Sequence, residues 1–169
     1  MALPDVINHQ DLLLTLNTNE EPVVKEALPG VDVWPLFLDS ENGIWVIRAK
    51  FKPGVTLPKH FHTGVVHFYT TAGRWNYLEY PDQPQTAGSY LYEPGGSIHT
   101  FHCPEDSEEG ADGFMVITGC NVNFDEDGNF MNIMDAGWIE QVVVEVAKAQ
   151  GIDKLRYIKP KAGAGMSID

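Results

Sequence analysis

The sequence predicts an all-β domain, a sandwich or barrel, with a single helix near the C-terminus. Three observations point there. From Val31 to Phe124, short runs rich in Val, Ile, Tyr, Phe and Trp alternate with breaks carrying Gly, Pro, Asp and Asn. The 16 glycines and 11 prolines are scattered without period, which suits a chain full of turns. Helical spacing of apolar residues stands out in only one place, after Asp135.

Taken in order, residues 1–30 are mixed in character and form an arm leading into the domain, with Asp11–Leu16 as a short turn of helix or strand. Strands are expected at Val33–Leu38, Gly43–Phe51, Val65–Thr71, Trp75–Tyr80, Ser89–Tyr92, Ile98–His102, Phe114–Thr118 and Val122–Phe124. Asp125–Asn129, sequence DEDGN, is a hairpin turn. It lacks the twelve-residue pattern and distal Glu of a calcium loop. Asp135 is a plausible N-cap for a helix over about 136–150, and Gly151 a plausible stop. Trp138, Ile139, Val142, Val143 and Val146 give this helix an apolar face, to pack on the barrel or a partner subunit. The barrel with its helix spans 31–159, and 160–169 is a tail.

At 169 residues and 43% apolar, the chain makes one domain with a proper core. A formal charge of −13 repels phosphate backbones and anionic lipid, which argues against nucleic-acid and membrane partners. No basic start and apolar h-region are visible, and two cysteines, Cys103 and Cys120, make no disulfide framework. A cytoplasmic location is expected, with both cysteines as ordinary small residues.

The histidines carry the chemistry. There are six, and five lie between positions 60 and 102: His60, His62, His67, His99 and His102. In a strand, residues i and i+2 share a face, so His60 and His62 can reach one ion. His99 supplies the distant third donor. Imidazole suits iron, nickel, copper and zinc. His102 has opposite strand parity to His99 and is expected to face away. His9 is incidental.

The surrounding motifs resemble those of the cupins. Residues 54–73, Gly54-VTLPK-His60-Phe-His62-TGVV-His67-FYTTA-Gly73, resemble the first cupin motif, with Gly73 one residue early. Residues 88–99, Gly88-SYLYE-Pro94-Gly-Gly96-Ser-Ile-His99, resemble the second. The resemblance implies a double-stranded β-helix, a jelly-roll-like barrel, and a metal held by His60, His62 and His99. Gly54, Gly73 and Gly88 then turn corners at positive φ, and the turn at 94–96 aims His99 inward. Two departures stand out. His67 occupies the place of the family's metal-binding Glu, as a fourth ligand or a hydrogen-bonding neighbour of the ligands. Cys103 occupies the place of an Asn. Three neutral ligands would leave the ion's charge uncompensated and favour an anionic, chelating substrate.

Residues 62–101, with the runs GRWNYLEY and TAGSYLYEPGGSIH, and GCNVNF near Gly119, are similar to cupin dioxygenases that cleave 2,4'-dihydroxyacetophenone or acetylacetone. This similarity implies ferrous iron and O2-dependent cleavage of a C–C bond next to a carbonyl. The partners would be a small ketone and O2. Trp75, Tyr77, Tyr90, Tyr92, Phe101, Phe114 and Met115 are candidates for an apolar pocket wall. Glu79 and Glu93 are candidates for the base that forms the enolate, and Tyr77 for a hydrogen bond to substrate. The alternatives are a zinc- or nickel-dependent cupin isomerase or hydrolase, and a non-catalytic metal-bearing sensor. Against the sensor, the 30 leading residues are short for the helical domain of related anti-sigma factors. A homodimer or homotetramer is expected, since exposed edge strands want cover.

Overall fold

The computed structural model describes residues 14–160. The expectations for Asp11–Leu13, His9 and the tail from Lys161 lie outside that range. The architecture is the expected one: eleven strands and one helix among the described residues. The strands are β1 (Val24–Leu28), β2 (Val31–Asp39), β3 (Ile44–Phe51), β4 (Lys59–His62), β5 (Val66–Tyr77) and β6 (Gln85–Thr86). They continue with β7 (Tyr90–Glu93), β8 (Phe101–His102), β9 (Ala111–Thr118), β10 (Asn121–Phe124) and β11 (Phe130–Met134), and α1 is Ala136–Ala149.

The larger sheet runs β1-β2-β3-β9-β5-β6, with β7 and β8 also on β5; the smaller runs β11-β10-β4. All the named ladders are antiparallel. Alternation sets the interior. On β3, Trp45, Ile47, Ala49 and Phe51 are buried; on β5, Val66, Phe68 and Thr70 are. Trp75, fully buried, stacks on Phe68 and Phe101 at centroid distances of 4.7 and 4.8 Å. Its indole N–H donates to Thr70 Oγ1 at 2.9 Å, so the ring is buried without an orphaned donor.

The helix matches its sequence signal. Asp135 caps it, its Oδ1 accepting from the Trp138 N–H at 2.8 Å. Ala136, Ile139, Val143 and Ala147 form the buried stripe, and α1 packs on β1, β2 and β11. It therefore closes one end of the interior. Gly151 follows at φ 70°. The hairpin at Asp125–Asn129 is also as expected: Asp125 Oδ1 accepts from the Asn129 N–H at 2.8 Å. Among the described residues, no helix is long and apolar enough to cross a membrane.

Six elements differ from expectation, two of them the short strands β4 and β6, which the expected set lacks. Val24–Leu28, within the segment expected as an arm, is the edge strand β1, paired with β2. The two strands expected at Val65–Thr71 and Trp75–Tyr80 are one, β5: a bulge between Thr70 and Ala72 bends it without ending it. The strand expected at Ile98–His102 shrinks to Phe101–His102, because the chain leaving the 94–96 turn is irregular. β11 is concealed in the sequence by its exposure, with Phe130, Met131 and Ile133 all outward.

Gly54, Gly73 and Gly88 have φ of 82°, 71° and 92°, as the motif required. Gly73 is also the tightest of the three. A Cβ there would sit 1.9 Å from the Gly110 carbonyl oxygen, whereas one at Gly88 would meet nothing within 4 Å. Gly73→Ala is therefore expected to destabilise by about 2–4 kcal/mol, strain plus clash. Gly88→Ala carries the strain alone, about 1 kcal/mol. Urea midpoints of the two variants test the difference.

A candidate metal centre

β4 presents His60 and His62 to the interior, both buried, with Phe61 between them turned outward onto Phe124. Its partner is β10, which sets Asn121 opposite His62. His99 arrives by direct pairing with His60: each backbone N–H donates to the other's carbonyl, at 3.0 and 2.9 Å. The turn before it is pinned as well, Gly96 N–H donating to the His62 carbonyl at 2.8 Å, with Gly96 at φ 84°. Backbone bonds, rather than side-chain packing alone, thus place the three rings.

The rings converge. Centroids of His60 and His62 are 5.0 Å apart, of His60 and His99 4.7 Å, and of His62 and His99 5.5 Å. One nitrogen from each lies within 4.8 Å of the others. The Pro58 carbonyl, an acceptor only, is 2.8 Å from His60 Nδ1, so that nitrogen carries the proton and Nε2 keeps its lone pair. Burial pushes the His60 imidazolium down to about 4, and burial also lowers His99. Both rings are neutral at pH 7, the state in which an imidazole binds a metal.

The centre is not a set of three neutral groups. Glu93, the last residue of β7 and 5% exposed, points into it. Its Oε2 lies 3.2 Å from His62 Nε2 and 3.3 Å from His99 Nε2. Glu93 Oε2, His99 Nε2 and His62 Nδ1 are all buried without a hydrogen-bond partner. Native interiors rarely tolerate such orphans. Two donors about 2.1 Å from one ion, at tetrahedral or octahedral angles, lie roughly 3.0–3.4 Å apart. The spacings of Glu93 Oε2 from His62 and His99 match. The residues therefore fit a divalent ion, which would satisfy the orphaned His99 Nε2, and the Glu93 carboxylate beside it would offset half its charge.

Tyr77 completes the group. Its hydroxyl donates to Glu93 Oε1, and its ring stacks on His99 with a centroid distance of 4.3 Å. Burial and the Glu93 charge push the phenol well above its usual range, so it stays a donor. Burial alone would raise the Glu93 carboxyl, but His62, His99 and Tyr77 outweigh it and hold it below the ordinary range.

The other candidates fall outside. His67 is on the opposite face of β5 from Val66 and Phe68, its Nδ1 bonded to Tyr90 hydroxyl at 2.7 Å, so it is neither ligand nor neighbour of the ligands. Glu79 accepts from the Thr100 N–H and hydroxyl at 2.8 and 2.9 Å; it braces the segment next to His99 and does not enter the centre. His102 faces away, as parity predicted, and pairs with Thr56 Oγ1 at 2.8 Å. Tyr90 is exposed, Phe114 lies outside near Arg48, and Trp75 packs behind Phe68; of the expected wall, Tyr77, Phe101 and Met115 reach the interior cavity, and Tyr92, though exposed, borders a second cleft beside Glu93. Cys103 is wholly buried, its thiol raised by burial and donating to the Arg74 carbonyl at 3.6 Å, and both cysteines are free. Asn121 is a residue that sequence reasoning missed. It borders the cavity with an orphaned Oδ1, and the GCNVNF run is the only signal for it.

Comparison with known proteins agrees with the fold. No curated protein matches the chain. A cupin-like protein of unknown function from Ralstonia eutropha JMP134 is 48% identical, with 95% of this chain and 100% of that one covered and a TM-score of 0.88. An RmlC-like cupin from the same organism is 26% identical, covering 84% and 90%, with a TM-score of 0.73. Acetylacetone dioxygenase from Acinetobacter johnsonii shares the fold at 17% identity, covering 86% and 99%, with a TM-score of 0.68. The family model of the ChrR cupin-like domain matches residues 13–112, more than half of the sequence, and the chain belongs to that family.

Proposed function

We propose that the protein is a non-haem Fe(II) dioxygenase that cleaves a C–C bond next to a carbonyl in a small ketone of the dihydroxyacetophenone or β-diketone type. One observation carries this: a buried carboxylate, Glu93, held by Tyr77 against two of the three converging imidazoles. Such a ketone must lose a proton from the carbon beside its carbonyl before it reacts with O2. Glu93 is the group placed to take it. Its carboxyl is ionised at neutral pH, one oxygen is fixed by the Tyr77 hydroxyl, and the other faces His62 and His99 at the centre.

His60, His62 and His99 would hold the ion, which when bound supplies Lewis acidity toward the carbonyl and the redox chemistry of O2. The chain does the rest. The Pro58 carbonyl fixes the tautomer of His60, and stacked Tyr77 fixes the plane of His99. The interior side of the centre is walled by Phe51, Phe68 and Ile117, which keep bulk water from that side.

A zinc- or nickel-dependent reaction without O2 is the second reading, favoured by the anionic oxygen that Glu93 sets 3.2 and 3.3 Å from His62 and His99. One comparison separates the two. Protein stripped of metal is reloaded with Fe(II), Zn(II) or Ni(II), and O2 uptake is followed with β-diketones and hydroxyacetophenones. Uptake confined to the iron-loaded protein, one O2 per ketone consumed, is the expected result. Ketone turnover by zinc-loaded protein without O2 would overturn it.

A further inference from the structure

Two cavities meet at the Tyr77–Glu93 pair, and they differ in size and chemistry. The interior cavity touches His60, His62, Tyr77 and Glu93, is otherwise almost wholly apolar, and has a volume of about 70 Å³. The second is a cleft of about 250 Å³ that reaches His99, Glu93 and Tyr77. Its walls come from the segment after β5, from β7, and from the turn at Pro94–Ile98. Tyr80, Gln83, Gln85 and Ser97 give it neutral hydrogen-bonding groups, and Leu91 and Ile98 an apolar surface.

Size decides which reactant each can take. A dry cavity that admits a benzene ring needs roughly 150 Å³. The interior has half of that and is bounded by packed strands and α1. It holds a diatomic gas without rearrangement, but not an aromatic ketone. Charge narrows the choice further. Among the described residues, no Lys or Arg lines the cleft. A carboxylate or phosphate on the substrate would be desolvated there without a partner.

We propose that the outer cleft is the organic substrate's binding site and the interior cavity a separate compartment for O2. The substrate is a neutral single-ring or short-chain ketone with a hydroxyl or similar group remote from its carbonyl, held by Gln83, Gln85 or Tyr80. This rests on the dioxygenase reading for the identity of the reactants, but the cleft is tested without turnover.

The test uses the zinc-loaded full chain. Calorimetry measures the binding of 4-hydroxyacetophenone, acetophenone and 4-acetylbenzoate, and xenon NMR reports on the interior. The hydroxyl compound is expected to bind at least tenfold more tightly than the carboxylate. Ser97→Trp, at the cleft wall, is expected to weaken it at least tenfold and leave the xenon signal unchanged. Gln85→Ala, a milder change, should reduce its affinity severalfold with less effect on acetophenone. Val33→Ile and Val143→Ile, which narrow the interior, should reduce xenon uptake and leave ketone affinity as it was. Displacement of xenon by the ketone, indifference to Ser97→Trp, preference for the carboxylate, or no ketone binding at all would each overturn the proposal. If this binding pattern holds and iron-loaded protein takes up no O2, the dioxygenase reading falls and the cleft stands. If O2 uptake proceeds and the pattern is absent, the cleft falls alone.

Discussion

His99→Ala protein, reloaded with Fe(II) or Zn(II) and desalted, is expected to retain less than about a tenth of an equivalent of metal, while His102→Ala retains a full one. Loss of a group that merely orients a ligand already costs about 10–100-fold in affinity, and loss of a ligand costs more. The two residues are three apart in sequence and differ in what they face. His99 is 2% exposed, with Nε2 orphaned beside Glu93; His102 is turned to Thr56. The His99 change should leave the metal-free fold intact. The side chain makes no hydrogen bond there through Nε2, and the backbone pair with His60 survives substitution. Circular dichroism and a urea midpoint close to the parent's, with metal measured by elemental analysis, complete the experiment. Equal metal loss in the two variants would mean that the ion sits elsewhere.

That contrast is legible in the sequence, and the reason is physical. His60 and His62 are two apart on a strand, and a period of two fixes a shared face whatever the rest of the fold does. The cap and stop of α1 are equally local: Asp135 bonds three residues on, and Gly151 needs only its own φ. His67 marks where local periodicity fails. Its neighbours, Val65 through Tyr69, are apolar or aromatic on both faces, because Tyr69, Tyr90 and Tyr92 line the outer side of the sheet. Alternation is erased there, and motif register alone suggests that His67 faces inward. The same tyrosines conceal Glu93. Tyr90 and Tyr92 face out, so Leu91 and Glu93 face in, but only the pairing of β7 with β5 makes that parity visible. The continuity of β5 is beyond local signals, since the bulge at Thr70–Ala72 arises in its pairing with β9. Likewise, the size of the interior depends on α1 closing one end, which no periodicity reveals.

Glu93→Gln is expected to lower kcat for ketone-dependent O2 uptake by about 10²–10⁴-fold at saturating iron, the range that a positioned general base supplies. The substitution keeps the volume and the acceptor for the Tyr77 hydroxyl, so packing is preserved, but the negative charge and the proton-accepting oxygen are gone. Loss of the charge beside His62 and His99 should also weaken iron binding by about 10–100-fold, so metal must be saturated before rates are compared. Tyr77→Phe removes the fixing hydroxyl and leaves the carboxylate, which now lacks its donor inside a buried site. Its cost should fall well short of the Glu93→Gln cost. Glu79→Gln, which disturbs only the bonds to Thr100, should leave kcat within about twofold of the parent, as expected for a change remote from the reacting atoms. The ordering Glu93→Gln, Tyr77→Phe, Glu79→Gln thus assigns the base by position. Full activity in iron-saturated Glu93→Gln protein would show that the substrate reaches the ion already as the enolate, and that the buried carboxylate serves charge balance alone.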